Sequence, residues 1–154
     1  MSPDTQTANR VLGLLATLLG TSCIAALWAF LPLFSVLPGL FDSARLHTLL
    51  ALAAPVAALT VCFLLAFNGY RAGRGRAVAA LLLYLVAALY ANYVTSAGLI
   101  AGQLGYTLAG AIGRIGPEMA LALWRAHLGA MEFLLYLVGA GLALLLGAAP
   151  WRRP

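Results

Sequence analysis

The residues best placed to do chemistry in this chain are few, and the first is an acid inside an apolar run. Glu132 follows the start of a long apolar segment at Leu128 by four residues. Four helical residues advance ~6 Å, so in a bilayer its carboxyl group lies just below the surface. An acid at that depth is costly and is by default a candidate site with a partner to be named. It is also the kind of group that serves as a general acid or base.

Partners are available at a matching height. Asn92 lies fifteen residues into another apolar run that starts near Ala77, ~22 Å along a helix. In an antiparallel pair this places it within a turn of Glu132. Ser96 is one turn beyond Asn92, His47 stands at the start of a third apolar run, and Arg125 precedes Glu132 by seven residues. The candidate outer-leaflet polar cluster is therefore Glu132, Asn92, Ser96, His47 and Arg125. Two readings of it compete. A carboxamide and a hydroxyl commonly join helices within a membrane, which makes the group structural. The bias of intramembrane acids towards function makes it a working site.

His47 and His127 are the only histidines. If they face each other they are candidates to hold a haem, or with Glu132 or Asp42 a metal ion. No HxxxH or HxxE spacing supports this, so no cofactor is expected. Cys23 and Cys62 both fall in apolar runs, with no CxxC, and read as small buried packing residues. The chain has no GxSxG, phosphate-binding loop or HExxH. The GRGR stretch at 73–76 reads as a topology determinant rather than a phosphate cradle.

The elements that carry these residues follow from composition. The chain has 154 residues, of which 64% are hydrophobic and 8% charged, against about 25% charged in an ordinary soluble domain. A globule of this size buries only about two-thirds of its chain surface and could not hide so much apolar area. A bilayer removes that difficulty, and runs of Leu and Ala without alternation select helices over a barrel. The reading is an all-α membrane four-helix bundle forming one domain. Its spans cover about 11–31, 46–67, 77–100 and 128–147, with an interfacial, amphipathic segment over about 103–127.

Local signals refine this. Pro32 and Pro38 are expected to end the first helix, leaving an apolar connector anchored by Phe34 and Phe41, with Asp42 or Ser43 capping the next helix. Pro55 should kink the second span, and Asn68-Gly69 should end it in a turn. The rows Gly98/Gly102 and Gly105/Ala109/Gly113 place small residues four apart, which lets helices approach closely. Gly116-Pro117-Glu118 looks like a helix start. A helix running from there through Gly129 into the fourth span would align Glu118, Arg125, Glu132 and Gly139 in one stripe and turn His127 to another face. Trp124 would then be an interfacial anchor.

All nine basic residues are arginine, and the formal net charge is +5. With four spans, Arg10, Arg71, Arg74, Arg76, Arg152 and Arg153 share one side, while Arg45, Arg114 and Arg125 share the other. The positive-inside rule makes the first side cytoplasmic, with both termini there and Arg71, Arg74, Arg76, Arg152 and Arg153 as its determinants. The scatter of these residues at span ends argues against nucleic acid as a partner. Arg without Lys in an Ala- and Gly-rich chain suggests a GC-rich bacterial source, and so the bacterial inner membrane. The cytoplasmic half offers only Thr17, Thr60, Cys62 and Tyr84, too little to line an ion or solute path.

Three functions compete on these grounds. The first is a non-enzymatic accessory, assembly or interaction subunit, whose partners are membrane lipids and other subunits or copies of itself. The second is an outer-leaflet binding site or membrane-embedded enzyme for a lipid, quinone or other hydrophobic ligand, using Glu132. The third is a haem or metal protein using His47 and His127.

Overall fold

The computed structural model of the chain describes residues 3–34 and 43–150. These residues form seven helices: α1 (Pro3–Phe34), α2 (Ser43–Leu52), α3 (Ala54–Phe67), α4 (Arg74–Leu104), α5 (Leu108–Arg114), α6 (Pro117–His127) and α7 (Ala130–Ala148). No strand occurs among them. Three stretches are long and apolar enough to cross a membrane: Val11–Ala29, Arg74–Leu104 and Ala130–Ala148. A fourth arises if Leu46–Leu52 and Ala54–Phe67, bent by 40°, are one broken span. The outward faces agree with lipid as the solvent, since Phe67, Leu145 and Leu27 are 77%, 71% and 70% exposed.

The bend comes from the sequence. Pro55 has no N–H for the carbonyl four residues back, and its ring crowds that carbonyl. The helix stops at Leu52, Ala53 makes a turn, and α3 restarts with the proline in its first turn. Beside the break, the Trp28 indole donates to the Leu50 carbonyl at 2.8 Å. Pro32 behaves differently from expectation. Helix α1 runs past it to Phe34, because a proline near a helix end removes one bond without breaking the turn. The expected connector anchor Phe41, the cap Asp42 and Pro38 lie outside the described residues.

Asn68-Gly69 closes α3 as its residue types suggest. Asn68 Nδ2 donates to the Leu64 carbonyl at 2.9 Å, and Gly69 takes φ 83°, a left-handed conformation that favours glycine. Helix α4 begins at Arg74 and runs 31 residues, farther than the span read from hydropathy. The segment after it is two short helices. Thr107 starts α5 by accepting the Gly110 amide at 3.1 Å. Gly116, extended at ψ 156°, starts α6 at Pro117.

The continuous helix expected from Pro117 into the last span does not form. Leu128 and Gly129 are both extended, and α7 restarts at Ala130 with Gly129 as its N-cap. Glu118 and Arg125 therefore do not share a helical stripe with Glu132 and Gly139. Gly129 was the weak point of that pattern, and there the pattern gives way.

In the bundle α7 lies against α3 and α4, and α1 lies against α4 and α3. Helices α5 and α6 lie on α4, and α6 also reaches α2. The core is rich in alanine, with Ala54, Ala58, Ala80, Ala91 and Ala143 fully buried around Trp28, Val61 and Tyr84. The small-residue seam that brings helices together is Gly139/Ala143/Gly147 on α7, all three buried. A Cβ on Gly147 would stand 2.7 Å from Ala77 Cα, and one on Gly139 would strike the Tyr84 phenol. Of the glycines named from sequence, Gly102, Gly105 and Gly113 make no such approach within the chain, since a Cβ on any of them would meet nothing within 4 Å.

Arg76 is the buried exception to an apolar end. Only 5% exposed, it donates through Nε to the Gly147 carbonyl at 2.7 Å and through Nη1 to Tyr70 at 3.3 Å. Its Nη2 also reaches the carbonyls of Leu146 and Ala149. The last carbonyls of a helix lack amides from a following turn. The guanidinium therefore caps that helix from α4, where Arg71 and Arg74 stay exposed.

Candidate functional site

The polar residues picked out by sequence divide into a joint and a cavity. The joint is centred on Glu132. Three residues past the N-cap Gly129, it holds the position from which an acid reaches back to unpaired amides and favours the positive end of a helix. One oxygen, Oε1, accepts from Thr48 Oγ1 at 2.7 Å. The other lies 2.5 Å from where a Cβ on Gly129 would stand, with the amides of Gly129 and of Glu132 itself turned towards the carboxylate. The carboxylate thus ties α2 to the start of α7. Thr48 was not foreseen, although its place beside His47 at the start of a span could have suggested it.

The cavity side is built from α2, α4 and α6. His47 on α2 is 3% exposed, Asn92 on α4 is 3% exposed and Ser96, one turn along α4, is 0% exposed. Asn92 Nδ2 donates to the Ala88 carbonyl at 2.8 Å and to the Tyr136 hydroxyl at 2.9 Å. Tyr136, one turn past Glu132 on α7, is the second partner that sequence reading missed. Its signal was the i, i+4 spacing from the acid.

What remains is a set of buried polar atoms without partners. Neither ring nitrogen of His47 makes a hydrogen bond, and the same holds for Asn92 Oδ1, Ser96 Oγ and Trp124 Nε1. The Asn92 carboxamide lies beside the His47 ring, yet the two do not close a bond of good geometry. Buried polar atoms are nearly always satisfied, and each exception calls for an explanation such as a bound molecule. Trp124, expected as an interfacial anchor, has its indole nitrogen buried. Its ring stands edge-on to Tyr136, with centroids 5.9 Å apart.

Two clefts meet at Trp124. The first, about 370 Å³, lies between α4 and α6 and is lined by Tyr90, Asn92, Tyr93, Ala120, Leu121 and Trp124 among others. The second, about 290 Å³, lies between α4 and α7 and is apolar, with Leu85, Phe133 and Leu137 in its wall. Leu89 and Trp124 border both. Tyr93 fixes the first cleft from behind, its hydroxyl lying 2.8 and 2.9 Å from the carbonyls of Ile112 and Ile115.

Of the five cluster residues, the structure sets His47 beside Asn92, carries Ser96 on the same helix one turn away, and bonds Glu132 to the neighbour of His47. Arg125 is exposed, and no hydrogen bond or ion pair joins it to the described members of the group. His47 and His127 do meet, with ring centroids 5.0 Å apart and planes 14° apart. The rings are stacked face to face, and since imidazole lone pairs lie in the ring plane they do not converge on a centre between the two faces. No group of three or more His, Cys, Asp or Glu among the described residues is placed to hold a metal ion.

The opposite half of the bundle has its polar side chains tied down locally. Thr17 donates to Gly13 and Thr60 to Val56, each at 2.7 Å. Tyr84 donates to the Tyr136 carbonyl at 3.1 Å. No protein family, characterised protein or solved structure matches this chain, so the character of the site rests on its own atoms.

Proposed function

We propose that the chain is a four-span protein of the bacterial inner membrane that binds a hydrophobic, polar-headed ligand in the outer half of its bundle. The observation that carries this is the set of unpartnered buried atoms on His47, Asn92, Ser96 and Trp124, two of whose owners line a cleft of about 370 Å³. Ligand sites have this form: a few convergent polar groups in an apolar pocket of roughly 300–1,000 Å³. Glu132 belongs to the supporting joint, and the role of acid or base passes from it. With Arg76 committed to capping α7, the basic residues still favour the side of Arg10, Arg71, Arg74, Arg152 and Arg153 as cytoplasmic. The cleft then opens to the outer leaflet.

The test is organic extraction of the purified protein followed by mass spectrometry. A small hydrophobic molecule should accompany the wild type in near-stoichiometric amount and be depleted in Leu121→Trp, which fills the first cleft. Equal extracts from the two proteins would defeat the proposal. A role as an accessory or interaction subunit is the second reading, favoured by the open backbone at Gly102, Gly113 and Gly116, against which another helix could close. Cross-linking from cysteines placed at those positions would identify such a neighbour.

A further inference from the structure

We infer that the ligand of this site has an uncharged ring head bearing carbonyl or hydroxyl oxygens, the quinone and quinol class, with an apolar tail. This rests on the binding reading above and narrows it to one chemistry.

Charge is the first argument. The lining of the first cleft contains no Asp, Glu, Lys, Arg or His. The two arginines of the neighbouring segment are turned elsewhere: Arg125 is exposed, and the Arg114 guanidinium sits 4.5 Å over the Tyr106 ring. Glu132, close enough to act on Tyr136, would repel a second anion in a medium of low dielectric. A phosphate or carboxylate head would therefore enter without a counter-charge, at a high desolvation cost.

Hydrogen-bonding capacity is the second. The unpartnered atoms include a pure acceptor in Asn92 Oδ1 and a pure donor in Trp124 Nε1. Both residues line the first cleft. A head that satisfies them must both accept and donate, as a ring with two oxygens can do from opposite edges.

Shape is the third. Tyr90, Tyr93 and Trp124 supply aromatic walls to the cleft that holds Asn92, which suits a flat ring. The second cleft continues past Trp124 and Leu89 between α4 and α7 and is almost wholly apolar. A tail leaving the ring has a ready course there, along the lipid face.

The experiment uses the full chain in neutral detergent and follows its unfolding temperature against three probes: a decyl-substituted benzoquinone with its reduced quinol, a short-chain diacylglycerol, and a short-chain phosphatidic acid. The quinone or quinol should raise the unfolding temperature saturably. Trp124→Phe keeps an aromatic face and removes the donor, and should weaken that binding about three- to tenfold, the size of one lost hydrogen bond. Its unfolding temperature without ligand should match the wild type, which separates lost binding from lost fold. Stabilisation by diacylglycerol alone would overturn the ring head, and stabilisation by phosphatidic acid alone would overturn the neutral head. Either result would leave the cleft reading standing. No saturable response to any probe would overturn both.

Discussion

Arg76 Nε donates to the Gly147 carbonyl at 2.7 Å, joining the first turn of α4 to the last turn of α7. The bond converts a residue with the look of a topology signal into a helix cap. Arg76→Ala should therefore destabilise the protein by about 3 kcal/mol, in the range for hydrogen bonds to a charged group. Arg76→Lys should recover only part of this, since an ammonium cannot fork between carbonyls as a guanidinium does. Arg74→Ala, at an exposed position, should stay within about 0.5 kcal/mol of wild type. Denaturant unfolding in detergent measures all three, and equal losses at 74 and 76 would contradict the capping role.

Thr48 and Glu132 should prove coupled. Thr48→Val and Glu132→Gln each weaken one charge-assisted bond, and in the double variant the second change should cost less than it does alone. Membrane hydrogen bonds measured by such cycles average about 0.6 kcal/mol, so a coupling of about that size is expected. Strict additivity would show that the 2.7 Å contact contributes nothing.

The seam on α7 predicts opposite outcomes for two glycines six residues apart. Gly147→Ala places its Cβ against the α4 backbone and should cost about 1–3 kcal/mol. Gly141→Ala, whose Cβ would meet nothing within 4 Å, should be neutral. Unfolding midpoints of the two variants decide the matter.

Ser96 offers a direct check on the unpartnered polar group. Its hydroxyl is wholly buried without a partner, so Ser96→Ala should leave the ligand-free protein as stable or up to about 1 kcal/mol more stable. If the hydroxyl were instead fastening two helices, the same change would destabilise. Comparing extracted, ligand-stripped samples separates these outcomes.

The apolar runs were plain to read because lipid demands them, and so were the turn at Asn68-Gly69 and the break near Pro55, each caused by a single residue type. The α6–α7 break was less visible, since Gly129 alone does not end a helix and only the tertiary position of α6 decides it. Residue heights brought His47, Asn92 and Glu132 near one another correctly, because rise per residue is fixed. Sequence could not say which way each carboxyl or carboxamide turns. The bond of Glu132 to Thr48 and the unpartnered indole nitrogen of Trp124 are of that kind. Arg76 was read by charge alone, and its burial depends on α7 ending beside it.

Helix α4 has one more consequence. At 31 residues it measures ~46 Å, against a hydrocarbon core of ~30 Å, and an ordinary tilt of about 20° absorbs little of the excess. Its far end, with exposed Gln103 and Leu104, must stand in the headgroup layer, where α5 and α6 clothe it. About ten of its residues are thereby left for the headgroup layers at the two ends rather than for the hydrocarbon.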